Sequence, residues 1–377
     1  MFPRIEYVNW VLPRIERAGH DLASSDLHPE GPADPGRVVP ARLADRETPE
    51  CTLRSLVAEE YGVTRDRVLV TAGTSSANLL AAATALDLQV ADDDAEDRPE
   101  TPESGSVLVE KPGYEPHVAT PRGLGANVDR FLRRAEAGYD LEPDRIEAAM
   151  RSDTTLVTVS NRHNPSGRRV DRPRLAECAA VARANAARLL VDEVYAPYGR
   201  RTVDGDGYAF GGPTAAGIEG TVTTGSLTKF LGFGTLRIGW LVADEAFVER
   251  AREISVHLSD VARPSRLLGR RALAAAPELD DDARERCIRN AELLSTFVDD
   301  HDHLTATTFE GCPFAFVEST REGVDGDALA EAAEAADVLV APGRFFGAPS
   351  GVRVALGRPT EDAKVGLAAF AASTVDL

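Results

Sequence analysis

The chain has 377 residues, 42 of them basic and 61 acidic, for a formal net charge of −19, and 43% of it is apolar. That length and apolar share can bury more than one core, which excludes a disordered polyelectrolyte. The acidic excess excludes a basic surface for nucleic acid or an anionic membrane.

Met1–Trp10 mixes Arg4, Glu6 and Asn9, which is not a leader pattern, so a cytoplasmic protein is expected. Arg4–Gly19 reads as a short amphipathic segment and His28–Pro40 as a proline- and glycine-rich connection. Thr52–Tyr61 has helical spacing through Leu53, Leu56, Val57 and Glu60, and it stops at Gly62, where a left-handed residue is cheap. A β-branched strand, Arg67–Thr71, feeds Gly73-Thr-Ser-Ser76 and an alanine- and leucine-rich helix from Ala77 to Leu88. Val68–Leu86 is uncharged, but Thr71, Gly73, Thr74, Ser75, Ser76 and Asn78 make it a poor lipid-facing pattern, so no membrane is expected. Ala91–Ser106 reads as an exposed acidic loop before a strand at Ser106–Glu110.

Strand Thr154–Ser160, helix Arg174–Ala187 and strands Arg188–Asp192, Thr221–Gly225 and Leu236–Val242 follow. Continuous apolar strands separated by helices predict an α/β fold, with a large domain over residues 45–262. Its mostly parallel sheet would be covered by helices on both faces. Beyond Pro264 the pattern changes. Helices Ser265–Ala276 and Asp281–Asp299 lead to strand Ala315–Glu318, helix Asp327–Ala336 and strands Val338–Ala341 and Gly351–Leu356. Residues 263–377, with 1–44, are expected to form a smaller α+β domain.

Ligands of such sheets bind beyond the carboxyl ends of the strands, and the chemically useful residues stand there. Only three of the 42 basic residues are lysines. One of them, Lys229 in Thr224-Gly-Ser-Leu-Thr-Lys229, has Leu227, Phe230 and Leu231 beside it. Desolvation there would lower its amine pKa and make it nucleophilic near neutral pH; the plain alternative is a surface lysine before a turn. Asp192 ends an apolar strand, where a carboxylate is costly unless it meets a cation or caps a helix. Asn164-Pro-Ser-Gly167 is also a good turn in its own right. Thr74 and Ser75, at a strand-to-helix turn, offer N–H groups to an anion or serve as an ordinary N-cap. Arg353, between Val352 and Val354, asks for a planar bidentate anion. The cysteines, Cys51, Cys178, Cys287 and Cys312, are scattered with no Cys-x-x-Cys pair, so neither a metal site nor a disulfide framework is expected.

Taken in order, these segments resemble the class I/II, fold-type I, pyridoxal-phosphate enzymes, chiefly the aminotransferases, from about Leu53 to Leu356. The resemblance implies pyridoxal 5′-phosphate as cofactor on a Schiff-base lysine, Lys229, with Thr74, Ser75, Ser226 and Arg237 at its phosphate. It implies that Asp192 pairs with the ring nitrogen, that Tyr195 and Asn164 donate to the ring's phenolic oxygen, and that Tyr114 lies on the ring. His117, in Lys111-Pro-Gly-Tyr-Glu-Pro-His117, matches a histidine that orients the aspartate. Arg353 matches the residue gripping the substrate's α-carboxylate, with Asn164 beside it, and Pro342–Gly347 is similar to the family's Pro-Gly-x-x-Phe-Gly loop. The implied reaction moves an amino group from an amino acid to a 2-oxo acid, with Lys229, Asp192 and Tyr195 catalytic, in a homodimer. A lyase or an amino-acid decarboxylase on the same fold is the alternative, because the bond that breaks depends on how the substrate lies over the ring. The family's cross-dimer tyrosine has no counterpart, since no tyrosine lies between Tyr7 and Tyr61.

An acidic excess with almost no lysine suits solubility in concentrated salt, where screening weakens carboxylate repulsion. The purified protein is expected to lose stability in dilute buffer and regain it in molar salt. A melting curve and activity unchanged without added salt would contradict this.

Overall fold

The central strands are covered on both faces: every residue of Thr154–Ser160 is buried, and the strand is uncharged throughout although it includes three threonines and a serine. The computed structural model describes residues 2–27, 38–92, 105–201 and 207–377. Most of the connection expected at His28–Pro40 and of the acidic loop expected at Ala91–Ser106 lies outside the described residues.

Seven strands form one sheet: β1 (Val68–Thr71), β2 (Ser106–Lys111), β3 (Asn127–Leu132), β4 (Thr154–Ser160), β5 (Arg188–Asp192), β6 (Thr221–Ser226) and β7 (Gly239–Val242). Their spatial order is β1-β7-β6-β5-β4-β2-β3. All neighbours are parallel except β7, which runs antiparallel to both β1 and β6. The sheet is therefore mostly parallel, as expected, with one strand reversed.

Ahead of the sheet lie helices α1 (Glu6–Ile15) and α2 (Leu53–Glu60). Within it come α3 (Thr74–Asp92), α4 (Pro116–Gly123), α5 (Pro143–Ala149), α6 (Arg172–Ala184) and α7 (Glu245–Ser255). Side chains alternate between two helical layers. Val107, Val109, Leu156 and Leu190 pack with Ala77, Ala81 and Phe247 of α3 and α7. Leu108, Val157, Val159, Leu189 and Val191 pack with Ile146, Leu175 and Cys178 of α5 and α6.

Four further helices follow: α8 (Arg263–Ala274), α9 (Ala276–Asp299), α10 (Gly326–Ala335) and α11 (Thr360–Thr374). They accompany a four-stranded antiparallel sheet, β8 (Leu304–Ala306), β9 (Phe314–Ser319), β10 (Ala341–Pro342) and β11 (Gly351–Ala355), in the order β8-β9-β11-β10. Leu294, Val317, Val352, Val354, Leu367 and Phe370 form its core. His20–Asp21 pairs in parallel with Val338–Leu339, and Leu27 N–H then donates to the carbonyl of Lys229. The segment after α1 thus runs from a separate two-stranded pairing with Val338–Leu339 to the carboxyl edge of the large sheet. Among the described residues no helix is long and apolar enough to cross a membrane.

Several elements differ from their sequence expectation. The strand expected at Leu236–Val242 begins only at Gly239, because Arg237 takes a left-handed φ of 51° that ends a 3₁₀ turn. The helix expected from Ala77 begins at Thr74. Pro277 opens α9 in its first turn, where its missing N–H costs nothing, so the expected gap before Asp281 is helical.

Two buried titratable groups give stability a pH dependence. Burial, then the Arg133 charge, lowers His163 from 6.5 to about 4, so stability is lost as pH falls from 6.5 toward 4. Burial raises Glu193 from 4.5 to about 8, so stability is lost as pH rises from 4.5 toward 8. The two slopes cancel between 4.5 and 6.5, and Glu193 alone then removes about 2 kcal/mol between pH 6.5 and 8. Glu193→Gln is expected to flatten that limb in denaturant titrations; an unchanged difference between pH 6.5 and 8 would refute the assignment.

Candidate active site

All eleven residues singled out from the sequence line one cavity at the carboxyl edge of the large sheet. One end is built for an anion. The turn after β1 leads into α3, whose first residues, Thr74 and Ser75, line the cavity at the positive end of the helix dipole. Thr74 Oγ1 donates to the carbonyl of Gly225 at 3.1 Å, tying this turn to β6. A Cβ on Gly239 would lie 2.6 Å from the Thr74 nitrogen, so α3 can start this close to β7 only over a glycine. Gly73, at φ +85°, would likewise bring a Cβ within 2.9 Å of Arg237 Nη2. Arg237 itself holds a left-handed backbone, at about 1–2 kcal/mol, where its guanidinium meets the helix start. Ser226 lines the same end, and its Oγ accepts from Thr228 N–H at 3.3 Å.

Asp192, at the end of β5, forms the floor. Its Oδ2 accepts from Asn78 Nδ2 at 2.9 Å and hydrogen-bonds His117 Nε2 at 3.1 Å, while Oδ1 accepts from Val194 N–H at 3.3 Å. Asn78 is held in turn by Thr224, whose hydroxyl donates to Asn78 Oδ1 at 2.7 Å. The Tyr114 ring stands edge-on to His117, with centroids 5.4 Å apart.

Lys229 Nζ lies 3.8 Å from the Asp26 carboxylate and 5.9 Å from the centre of the Tyr195 ring. The expectation that desolvation would lower its amine pKa is corrected here. Burial does act in that direction, but Tyr195, Asp26, Tyr114 and Tyr7 outweigh it and hold the amine above its ordinary value. Tyr195 Oη is 2.7 Å from Ser25 Oγ.

Arg353, on β11, reaches across from the small sheet. Its Nη1 donates to Asn164 Oδ1 at 2.9 Å, and its Nη2 donates to Tyr7 Oη at 2.9 Å and to the carbonyl of Ala23 at 2.6 Å. Tyr7, Ser25 and Asn78 are cavity residues that sequence reasoning did not single out. Asn78 had a usable signal: it lies four residues after Thr74 in one helix, hence on the same face. No periodicity in the first 27 residues distinguishes Tyr7 or Ser25.

Comparison with known proteins gives this geometry a family. A family model described as aminotransferase class I and II matches residues 48–370. A histidinol-phosphate aminotransferase of Rhodospirillum centenum is 24% identical over 258 residues, 68% of each chain. Capreomycidine synthase of Streptomyces vinaceus is 26% identical over 272 residues, 70% of this chain and 67% of that protein. A PLP-dependent aminotransferase structure from Streptococcus suis superposes with a TM-score of 0.80 at 20% identity, covering 100% of this chain and 98% of the other. The chain belongs to the class I and II aminotransferases, which are pyridoxal-phosphate-dependent transferases of fold type I. The residues present fit that cofactor. One cavity holds a helix start and a guanidinium cradled on Gly73 for a phosphate, a buried carboxylate for a ring nitrogen, and an amine for an aldehyde.

Replacing Asp26 with Asn removes one charge that favours the Lys229 ammonium. The amine pKa is expected to fall and its neutral, nucleophilic fraction to rise, so the apoprotein should take up pyridoxal phosphate about tenfold faster at pH 8. Stopped-flow absorbance across pH measures this, and a rate equal to or below that of the parent protein would refute it.

Proposed function

We propose that this class I and II aminotransferase moves the amino group of an amino acid to a 2-oxo acid, and that Arg353 holds the substrate's α-carboxylate. The observation that carries the reading is the state of that guanidinium. Arg353 is 2% exposed, its hydrogen bonds go to an amide, a phenol and a backbone carbonyl, and its Nε is buried without a partner. A buried cation with no carboxylate among the described residues to pair with is costly, and a substrate carboxylate offsets that cost in the bidentate geometry a guanidinium favours.

Pyridoxal phosphate, when bound, supplies an electron sink for the charge left on the substrate carbon as its proton departs. Thr74, Ser75, Ser226 and Arg237 would hold its phosphate, and Asp192 its ring nitrogen, with Asn78 and His117 fixing Oδ2 of that carboxylate. Tyr195 would donate to the ring's phenolic oxygen. Asn164 joins the two halves of the site: its Oδ1 is committed to Arg353, so its amide nitrogen is the end that donates toward the ring. Tyr114, neutral because burial pushes its phenol up, offers a flat apolar face to the ring. Lys229 Nζ acts as general base on the α-proton and then as general acid. The functional unit is read as a homodimer, which sedimentation equilibrium would test.

A panel of amino donors with 2-oxoglutarate in high salt should yield a new amino acid; release of ammonia or carbon dioxide without one would assign a lyase or decarboxylase instead. Lys229→Ala is expected to abolish turnover and the borohydride-trappable adduct, and a variant that still cycles normally would remove the assignment. Arg353→Ala should raise KM for the amino acid by about 30- to 150-fold, the loss of a charge-assisted pair worth roughly 2–3 kcal/mol, with Lys recovering only part. An unchanged KM would end its assigned role.

A further inference from the structure

The N-terminal helix reaches the cavity through one residue and is seated by another that carries no assigned role. No side chain of its own caps the start of α1. The cap comes from far along the chain: Glu115 Oε1 accepts from Glu6 N–H at 2.8 Å and Oε2 accepts from Tyr7 N–H at 2.7 Å. A bidentate carboxylate here satisfies two of the four orphan N–H groups and lies at the positive end of the helix dipole.

Glu115 directly follows Tyr114 and precedes Pro116, the first residue of α4. The same carboxylate therefore fixes α1 relative to the aromatic face of the cavity. Tyr7 packs edge-on to Tyr114, with centroids 6.3 Å apart, and tilts onto Phe345 and Phe346 at 5.8 and 5.7 Å. Its hydroxyl then meets Arg353 Nη2. The rest of the helix adds Trp10, tilted onto Phe345 at 5.4 Å, and Arg14, paired with Glu334 at 3.1 Å. Tyr7 and Val11 are its buried residues, and Leu12 is 59% exposed.

We propose that Glu115 is a positioning residue for the reaction: its carboxylate clamps the start of α1 so that Tyr7 orients the Arg353 guanidinium for the substrate carboxylate. This rests on the carboxylate-binding role given to Arg353 above. α1 is then a cover built into the site, registered by the residue next to the ring platform. Glutamine at position 115 keeps one strong acceptor where the carboxylate has two, and alanine keeps none. Tyr7→Phe removes the hydroxyl contact and leaves the clamp in place.

The experiment uses the full-length protein with pyridoxal phosphate. It combines hydrogen–deuterium exchange over residues 6–15 with steady-state kinetics on the amino acid that the donor panel selects. Glu115→Ala should speed exchange in α1 at least tenfold while the amides of β4 keep their protection. It should raise KM about tenfold with kcat within about twofold, and Glu115→Gln should fall between the parent and Glu115→Ala on both measures. Tyr7→Phe should raise KM with α1 protection intact. Unchanged exchange in Glu115→Ala would overturn the clamp. Faster exchange with an unchanged KM would overturn its link to the substrate. Arg353→Ala run in parallel separates the two readings. If its KM is unchanged, the carboxylate role itself fails; if its KM rises while the Glu115 variants keep theirs, only the present proposal fails.

Discussion

One buried cation ties the molecule together. Arg353 stands on the small antiparallel sheet, yet its guanidinium ends against Asn164 at the edge of the large parallel sheet and against Tyr7 and Ala23 of the N-terminal segment. A planar guanidinium reaches these three acceptors from two nitrogens in fixed directions, whereas a lysine would have to meet all three from a single nitrogen. The cavity exists where it does because this contact brings those parts to the carboxyl edge of β4 and β5. A group so placed is a structural joint, so the orientation of its guanidinium and the seating of the N-terminal segment depend on the same hydrogen bonds.

Three carboxylates at the same sheet edge show how environment divides labour. Glu110, at the end of β2, is fully buried and pairs with Arg133 at 2.8 Å while accepting from Ser160; burial works against its charge, but His163, Arg133 and Ser160 outweigh it and hold its pKa below the usual range. Glu193 is equally buried but leans on the Ala215 N–H, and burial pushes its pKa up, so it keeps its proton near neutrality. Asp192, its immediate neighbour, faces the cavity and is held by an amide, an imidazole and a backbone N–H. Of the three, it alone is offered to a ligand. Period-2 alternation along β5 accounts for the split, since Asp192 and Glu193 leave the strand on opposite sides.

Much of this was legible in the sequence, for a physical reason. Parallel strands buried on both faces carry few charges before their ends, and the residues that follow them have nowhere to go but the carboxyl edge. Hence Gly73–Ser75, Asn164, Asp192 and Ser226 could be placed together from strand ends alone. What stayed hidden depends on contacts with no local signature. The late start of β7 turns on Arg237, a residue whose sequence pattern gives no hint of its left-handed backbone. The Lys229 amine was expected to lose protons because its sequence neighbours are apolar, yet its spatial neighbours are phenols and a carboxylate. Sequence adjacency misjudged a field that is set by tertiary packing.

The N-terminal segment makes the same argument from the other side. Within 20 residues it supplies Tyr7 to Arg353, Ser25 to Tyr195 and Asp26 to Lys229, three partners for three residues of the proposed machinery. None of these contacts is enforced by a long periodic element: α1 spans ten residues, and His20–Asp21 is a two-residue strand. The segment is pinned to both cores, with Leu22 buried among Val352 and Val354 and Leu27 among Leu227 and Phe230, so these polar groups are presented from between fixed apolar anchors. The residues proposed to hold the cofactor thus stand largely at the strand ends of the large sheet, while their N-terminal partners are carried by a connecting segment, the kind of element on which binding groups are commonly placed.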